Sequence, residues 1–219
     1  MFPGPTMYRF SSRRLVFSLM CLSAASAGAT GVAVQVQDAA GNPLADTVVY
    51  IEADTAPAAG KAPANGQIEQ KGLKFLPLVT VVQTGSKVFF PNNDKVRHHI
   101  YSFSAAHKFD QKLYSGESAA PQVFDKAGTV VLGCNIHDKM LAYVKIVDTP
   151  YFAKTDGAGA ARIALPAGGK YVVKAWHYNT VGGATQEQVL TVKAGDTLST
   201  ATFKLPMKPA AADATSSAY

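Results

Sequence analysis

The sequence predicts an all-β protein. Three observations carry this. Short runs alternate apolar and polar residues with period two, as in "VAVQVQD" at 32–38; clusters of turn residues such as "AAGNPLAD" and "PNND" separate them; and no amphipathic helix of three turns is present. Many short strands at regular spacing imply a β-sandwich or barrel. Of the 219 residues, 47% are apolar, enough for a substantial core, and only 16% are charged, which argues against a highly charged disordered chain.

Taken in order, the first element is a targeting segment. Arg9, Arg13 and Arg14 precede the apolar run "LVFSLMCLSAASA", and Ala25-Ser26-Ala27 fits the small-residue cleavage pattern. A signal peptide over 1–27 is therefore expected, with Ala27-Gly28-Ala29 as a second exit and Met7 as an alternative start. "SRRLVF" has a weak likeness to a twin-arginine signal. A membrane anchor is the competing reading, but the apolar run is too short to span comfortably, so no stable membrane span is expected after cleavage. Processing would remove Cys21 and leave Cys134 as the only cysteine of the mature chain. It would also lower Lys+Arg from 21 to 18 against 15 Asp+Glu, so the charge falls from +6 to about +3. The positive charge is thus partly a property of the leader, and no nucleic-acid partner is inferred.

Strands are expected at 32–38 and at 47–52 ("TVVYIE"), followed by an Ala/Pro/Gly-rich surface loop over 53–66. "FLPLVTVVQTGSKVFFPNND" predicts two strands about a Thr84-Gly85 turn, with a strong break at Pro91-Asn92-Asn93-Asp94. "HHIYSF" (98–103) is strand-like, and 104–122 is less regular, with room for one short helical turn. "VFDKAGTVVLGC" and "MLAYVKIVD" return to strands. Residues 155–177 and 187–205 supply three or four more, and an Ala/Ser-rich tail over 207–219 is expected to be disordered.

The chemistry concentrates in "GCNIHDKM". Cys134, His137 and Met140 follow an apolar strand at intervals of three. A blue-copper site needs two imidazoles and a thiolate in a near-trigonal set with a weak axial thioether, and one tight loop between strands can supply three of these. The second imidazole must come from elsewhere, and His98 or His99, just after the "NND" turn, could complete the set. Structural zinc would want four strong ligands, haem attachment would need C-x-x-C-H, and a thiol protease has no use for the methionine. A buried, inert cysteine is the bland alternative. Strand parity puts His98 and His99 on opposite faces without choosing between them. His107 and His177 read as structural.

"NNDKVRHHIYSF" followed by "GCNIHDKM" resembles the small cupredoxins of the plastocyanin and amicyanin group. The stretch through "DTPYFAKTDGAGAARIALPAGGKYVVKAWH" is similar to bacterial exported proteins labelled methylamine utilization protein. The resemblance spans roughly residues 31–205 and implies one type 1 copper ion on His98, Cys134, His137 and Met140. It implies a cupredoxin-like Greek-key β-sandwich with an additional small β-sandwich segment. The implied function is a periplasmic one-electron carrier, not an enzyme, whose partner is a periplasmic redox protein such as a c-type cytochrome or a dehydrogenase. The alternative is a copper-binding or sensing module of the cell envelope without fast electron transfer. Three departures from the pattern bear on spectral type and potential: His99 stands where plastocyanin-like proteins often carry Asn, Leu132-Gly133 precedes the cysteine where many have an aromatic, and about 50 residues follow the copper domain. Those residues, and "VQVQDAAGNPLADTVVYIE" near the start, resemble carboxypeptidase-regulatory, transthyretin-like modules. The expected organisation is a copper domain over 30–148 and a β segment over 149–206, with the allegiance of residues 32–52 left open.

Overall fold

The computed structural model describes residues 30–53, 63–114, 120–195 and 198–209. The expected signal peptide, residues 54–62 of the expected loop and residues 210–219 of the expected tail lie outside the described residues.

The described chain is almost entirely strand, with one turn of 3-10 helix at Val181–Gly183. Its strands are β1 (Gly31–Asp38), β2 (Val48–Ala53), β3 (Gly66–Gln67), β4 (Glu69–Gln70), β5 (Phe75–Leu76), β6 (Val79–Gln83), β7 (Ser86–Phe89), β8 (His98–Ser102) and β9 (Phe109–Tyr114). They continue with β10 (Gln122–Phe124), β11 (Gly128–Cys134), β12 (Leu141–Val147), β13 (Phe152–Lys154), β14 (Ala160–Ala164), β15 (Gly169–Trp176), β16 (Gln186–Val192) and β17 (Ser199–Leu205).

These strands make two β-sandwiches. In the first, a five-stranded sheet of order β6-β12-β11-β8-β9 faces a three-stranded sheet of order β10-β7-β3. Between them lies a core that includes Phe75, Val88, Ile100, Phe124, Leu132, Ala142 and Ile146, and also Cys134 and Met140. The Thr84-Gly85 turn does not close a hairpin ladder. It carries the chain from β6 in one sheet to β7 in the other, with Gly85 at a φ of 89°, a conformation that costs a glycine little. In the second sandwich, β14-β1-β17 faces β13-β2-β15-β16 over a core of Val32, Val34, Val36, Ile51, Val173 and Phe203.

The strand pairing bears on residues 32–52, which lie within the expected 30–148 domain and whose allegiance the sequence left open. β1 pairs with β14 and β17, and β2 with β13 and β15. Residues 31–53 therefore fold with the strands after residue 150, and the site-bearing sandwich is inserted between the two parts of the second. Long-range fit decides this: β1 presents Val32, Val34 and Val36 to a core that Val49 and Ile51 of β2 and Val173 and Ala175 of β15 fill from the facing sheet.

β2 is buried on both sides. Val49 and Ile51 enter the second core, while Val48 and Tyr50 join Val79, Val147 and Trp176 in a separate cluster at the seam between the sandwiches. This is why "VVYI" departs from alternation. Burying each of the large seam side chains contributes about 1.5–3 kcal/mol. Lys145 lies in the same seam, its ammonium 5.2 Å from the centre of the Trp176 ring and 5.8 Å from that of Tyr50.

The short helical turn expected within 104–122 is not formed by the described residues there. Phe109–Tyr114 instead runs antiparallel to β8, with an irregularity between His98 and Ile100 that leaves an extra residue in β9. The open edge of β8 recruits this segment, since its "FDQKLY" pattern suits a strand better than one isolated helical turn. Bulges of this kind re-aim side chains beside functional sites.

Candidate metal centre

Two loops at one end of the first sandwich bring the candidate ligands together. His98 opens β8 and Cys134 closes β11, and the two strands run antiparallel with Cys134 opposite Ile100. β8 alternates buried and half-exposed positions, so His98, Ile100 and Ser102 face inward while His99 and Tyr101 face out. His98 is 0% exposed and Cys134 3%. His137 is half-buried on the loop between β11 and β12 and is flanked by exposed Ile136 and Asp138. That loop is closed by the Met140 N–H, which donates to the His137 carbonyl at 2.9 Å.

One ligand atom from each of His98, Cys134 and His137 lies within 4.8 Å of the others. The Nδ1 atoms of His98 and His137 stand 3.8 and 3.7 Å from Cys134 Sγ, and the two rings are 5.1 Å apart. Bonds of about 2.0 Å to imidazole and about 2.3 Å to thiolate, as a first-row ion such as zinc makes, would at a trigonal angle set nitrogen and sulfur about 3.7 Å apart. The donor set therefore fits a single ion bound by two imidazoles and a thiolate. Met140 is buried in the same core cluster as Cys134, where the loop enters β12. Cys134 has no disulfide partner.

Asp94 orients His98, a role the sequence reading did not assign. Its Oδ2 lies 2.8 Å from His98 Nε2. With Nε2–H donating to the carboxylate, Nδ1 keeps a lone pair directed toward Cys134; buried carboxylate–imidazole contacts orient metal ligands in this way. The Asp94 oxygens also accept from the backbone N–H groups of Gly72 and Leu73, at 2.6 and 3.1 Å. Desolvation pushes the Asp94 carboxyl upward, but the hydrogen bonds from His98, Leu73 and Gly72 outweigh it and hold the group below the usual carboxylate value. The "NND" turn fixes this carboxylate locally: Asn92 Oδ1 accepts the Asp94 N–H at 3.0 Å, and the Asn92 side chain donates to the Val96 carbonyl at 2.9 Å. The signal available in the sequence was an aspartate four residues before His98.

His99 turns away from the cluster and pairs with Asp110. Its backbone is nonetheless part of the framework, because the Asn135 N–H donates to the His99 carbonyl at 3.2 Å and ties the cysteine loop to β8. Gly133, which replaces the expected aromatic, also has a structural reason. A Cβ at this position would stand 2.7 Å from the Tyr101 ring, so the aromatic cover comes from the neighbouring strand. The structure places the other two histidines elsewhere. His107 lies 3.2 Å from Gln122 Oε1 and packs against Phe124, and His177 stacks on Tyr178.

No protein-family model matches the sequence, and no curated protein matches it. Among solved structures, the chain is similar to a purple cupredoxin from Nitrosopumilus maritimus, at 22% identity over 37% of this chain and 98% of that one, with a TM-score of 0.33. Amicyanin from Paracoccus versutus is 19% identical over 44% of this chain and 97% of its own, with a TM-score of 0.35. A copper-containing nitrite reductase from Thermus scotoductus SA-01 is 22% identical over 43% of this chain but only 25% of that enzyme, with a TM-score of 0.36. These are partial likenesses, and the chemistry of the site is carried by its own residues.

Proposed function

We propose that the protein is an exported, non-enzymatic one-electron carrier that binds one copper ion through His98, Cys134 and His137, with Met140 as a weak axial ligand. The observation that carries this reading is the convergence of the three donor atoms from two loops, with both Nδ1 atoms nearest one free thiol. A thiolate, two imidazoles and a thioether form the soft, mixed donor set that suits copper. Bound copper would supply the one-electron couple.

The chain's own residues would do the rest. Asp94 holds the His98 ring and its tautomer, and β8 and β11 hold His98 and Cys134 at fixed separation. The half-buried His137 gives the site an edge near solvent. Little rearrangement on changing oxidation state follows from ligands held on paired strands and one short loop. Removal of residues 1–27 on export would place the mature chain in the periplasm, where its partner would be a redox protein such as a c-type cytochrome or a dehydrogenase. Anaerobic copper titration of the mature protein, followed by visible and EPR spectra, tests the reading. One equivalent of copper with an intense thiolate-to-copper band is expected, and its absence would remove the assignment.

The second reading is a copper-binding or sensing module, favoured by the additional sandwich, which offers surface that an electron carrier does not need. Rapid self-exchange of the loaded protein separates the two, since only a carrier requires it.

A further inference from the structure

The loops around the candidate centre carry a set of charges that the ligand chemistry does not use. Loops 71–74, 91–97 and 135–139 meet at this end of the sandwich. Asp94 bonds the first to the second, and the contact of His98 with Cys134 and His137 joins the second to the third. Their exposed cations are Lys71, Lys74, Lys95, Arg97 and Lys139. None of the five forms an ion pair with a described residue. The acids nearby are largely engaged: Asp94 serves His98 and two backbone N–H groups, and Glu69 accepts from the Asn93 side chain at 2.7 Å. Asp138 alone among the acids on these loops is exposed with no hydrogen-bond or ion-pair partner among the described residues.

Three aliphatic side chains stand out of the same loops. Leu73, Val96 and Ile136 are 47%, 45% and 49% exposed. Ile136 is next to His137, and the Leu73 N–H shares the Asp94 carboxylate with His98. Leu73 also holds a φ of 56°, which is uncommon for a bulky residue. Exposed apolar residues and unpaired cations on the same loops suit a transient interface, where charge steers the encounter and the apolar part excludes water.

Resting on the copper reading above, we propose that this end of the molecule docks a redox protein through an acidic surface, with Leu73, Val96 and Ile136 at the centre of the contact and the five cations around it. The occupant is a folded protein bearing a carboxylate-rich patch beside its own redox group. Free cations close to the encounter face raise association rates with such a surface and lose effect as salt screens them.

The test uses the isotopically labelled mature chain, both metal-free and copper-loaded, titrated at low and high ionic strength with an acidic c-type cytochrome, a basic c-type cytochrome and vesicles of anionic lipid. Amide shifts are expected at 71–74, 95–97 and 135–139 with the acidic cytochrome, fading with salt and absent with the basic one. The double variant Lys95→Glu, Lys139→Glu is expected to weaken this binding on the order of tenfold. Shifts centred on Tyr101 and Phe103, equal binding of the basic cytochrome, preference for the vesicles, or no effect of the charge reversal would each overturn the proposal. A protein that docks the acidic cytochrome when metal-free yet forms no blue centre would keep the docking surface and sink the carrier reading. A blue protein that docks at none of these loops does the opposite.

Discussion

Two buried histidines, one in each sandwich, have opposite chemical prospects. His98 is 0% exposed and His177 is 6% exposed. The His177 ring is occupied by its own neighbourhood: Nδ1 accepts the Asn179 N–H at 3.1 Å, the ring also bonds to the backbone of Ala45, and Tyr178 stacks on it. Burial lowers its pKa, against the raising effects of Ala45 and Asp46, and favours the neutral ring. His98 spends one nitrogen on Asp94 and presents the other to Cys134. Burial alone therefore does not make a site; a nitrogen left for a shared ligand does. The surfaces differ in the same way. Lys154 and Lys174 of the second sandwich pair with Asp46 and Glu52 at 2.6 and 2.7 Å, whereas the five cations around the candidate centre are unpaired among the described residues.

The largest expected effect separates the two histidines outright. Cys134→Ser or His98→Ala should abolish the thiolate-to-copper band, and His177→Gln should leave it intact, with circular dichroism showing strands in all three. A copper-loaded Cys134→Ser protein that stays intensely blue would end the comparison.

Next in size is the seam that joins the sandwiches. Trp176→Ala removes a buried ring from the shared cluster and should cost about 3–5 kcal/mol in denaturant unfolding. If the two sandwiches unfold as one unit, the single transition moves to lower denaturant. Two separated transitions in the wild-type chain would show that the seam does not couple them.

A smaller effect tests the orienting carboxylate. Asp94→Asn should weaken copper affinity about 10–100-fold while leaving the ligands in place. Competition titration with a chelator measures this, and an unchanged affinity would reduce Asp94 to a turn residue. Smaller still are the tuning residues. Met140→Leu should retain copper and raise the potential, and His99→Ala should only shift it; voltammetry reads both. Loss of the blue centre in His99→Ala, with its survival in His98→Ala, would move the ligand assignment by one residue.

The smallest expected effect is on stability against pH. Burial lowers the Lys145 pKa, with Lys174 adding to it, so the folded chain loses this proton at lower pH than the unfolded chain. Between the two values the unfolded state binds more protons, and this contribution to stability rises with pH toward the ordinary lysine value of about 10.4. Lys145→Met should flatten that alkaline rise. Equal slopes for the two proteins in this range would show that the ammonium reaches water.

The sequence by itself determined the β class, because period-two alternation and turn chemistry are local and survive in any all-β arrangement. It also marked Cys134, His137 and Met140 as a group, since a short loop between two strands keeps them near one another. It separated His98 from His99 by parity but could not say which face was inside; that depends on the sheet lying across from β8. Asp94 was legible as a turn residue and not as the partner of His98, because its second contact is made only when the 70–74 loop folds against it. The tertiary structure alone decided that β1 and β2 belong with strands more than 100 residues later, that Tyr101 covers Gly133, and that Phe109–Tyr114 pairs with β8 instead of forming a helical turn. Each of these depends on which apolar face fits which partner across long separations, and periodicity within a segment carries no record of that choice.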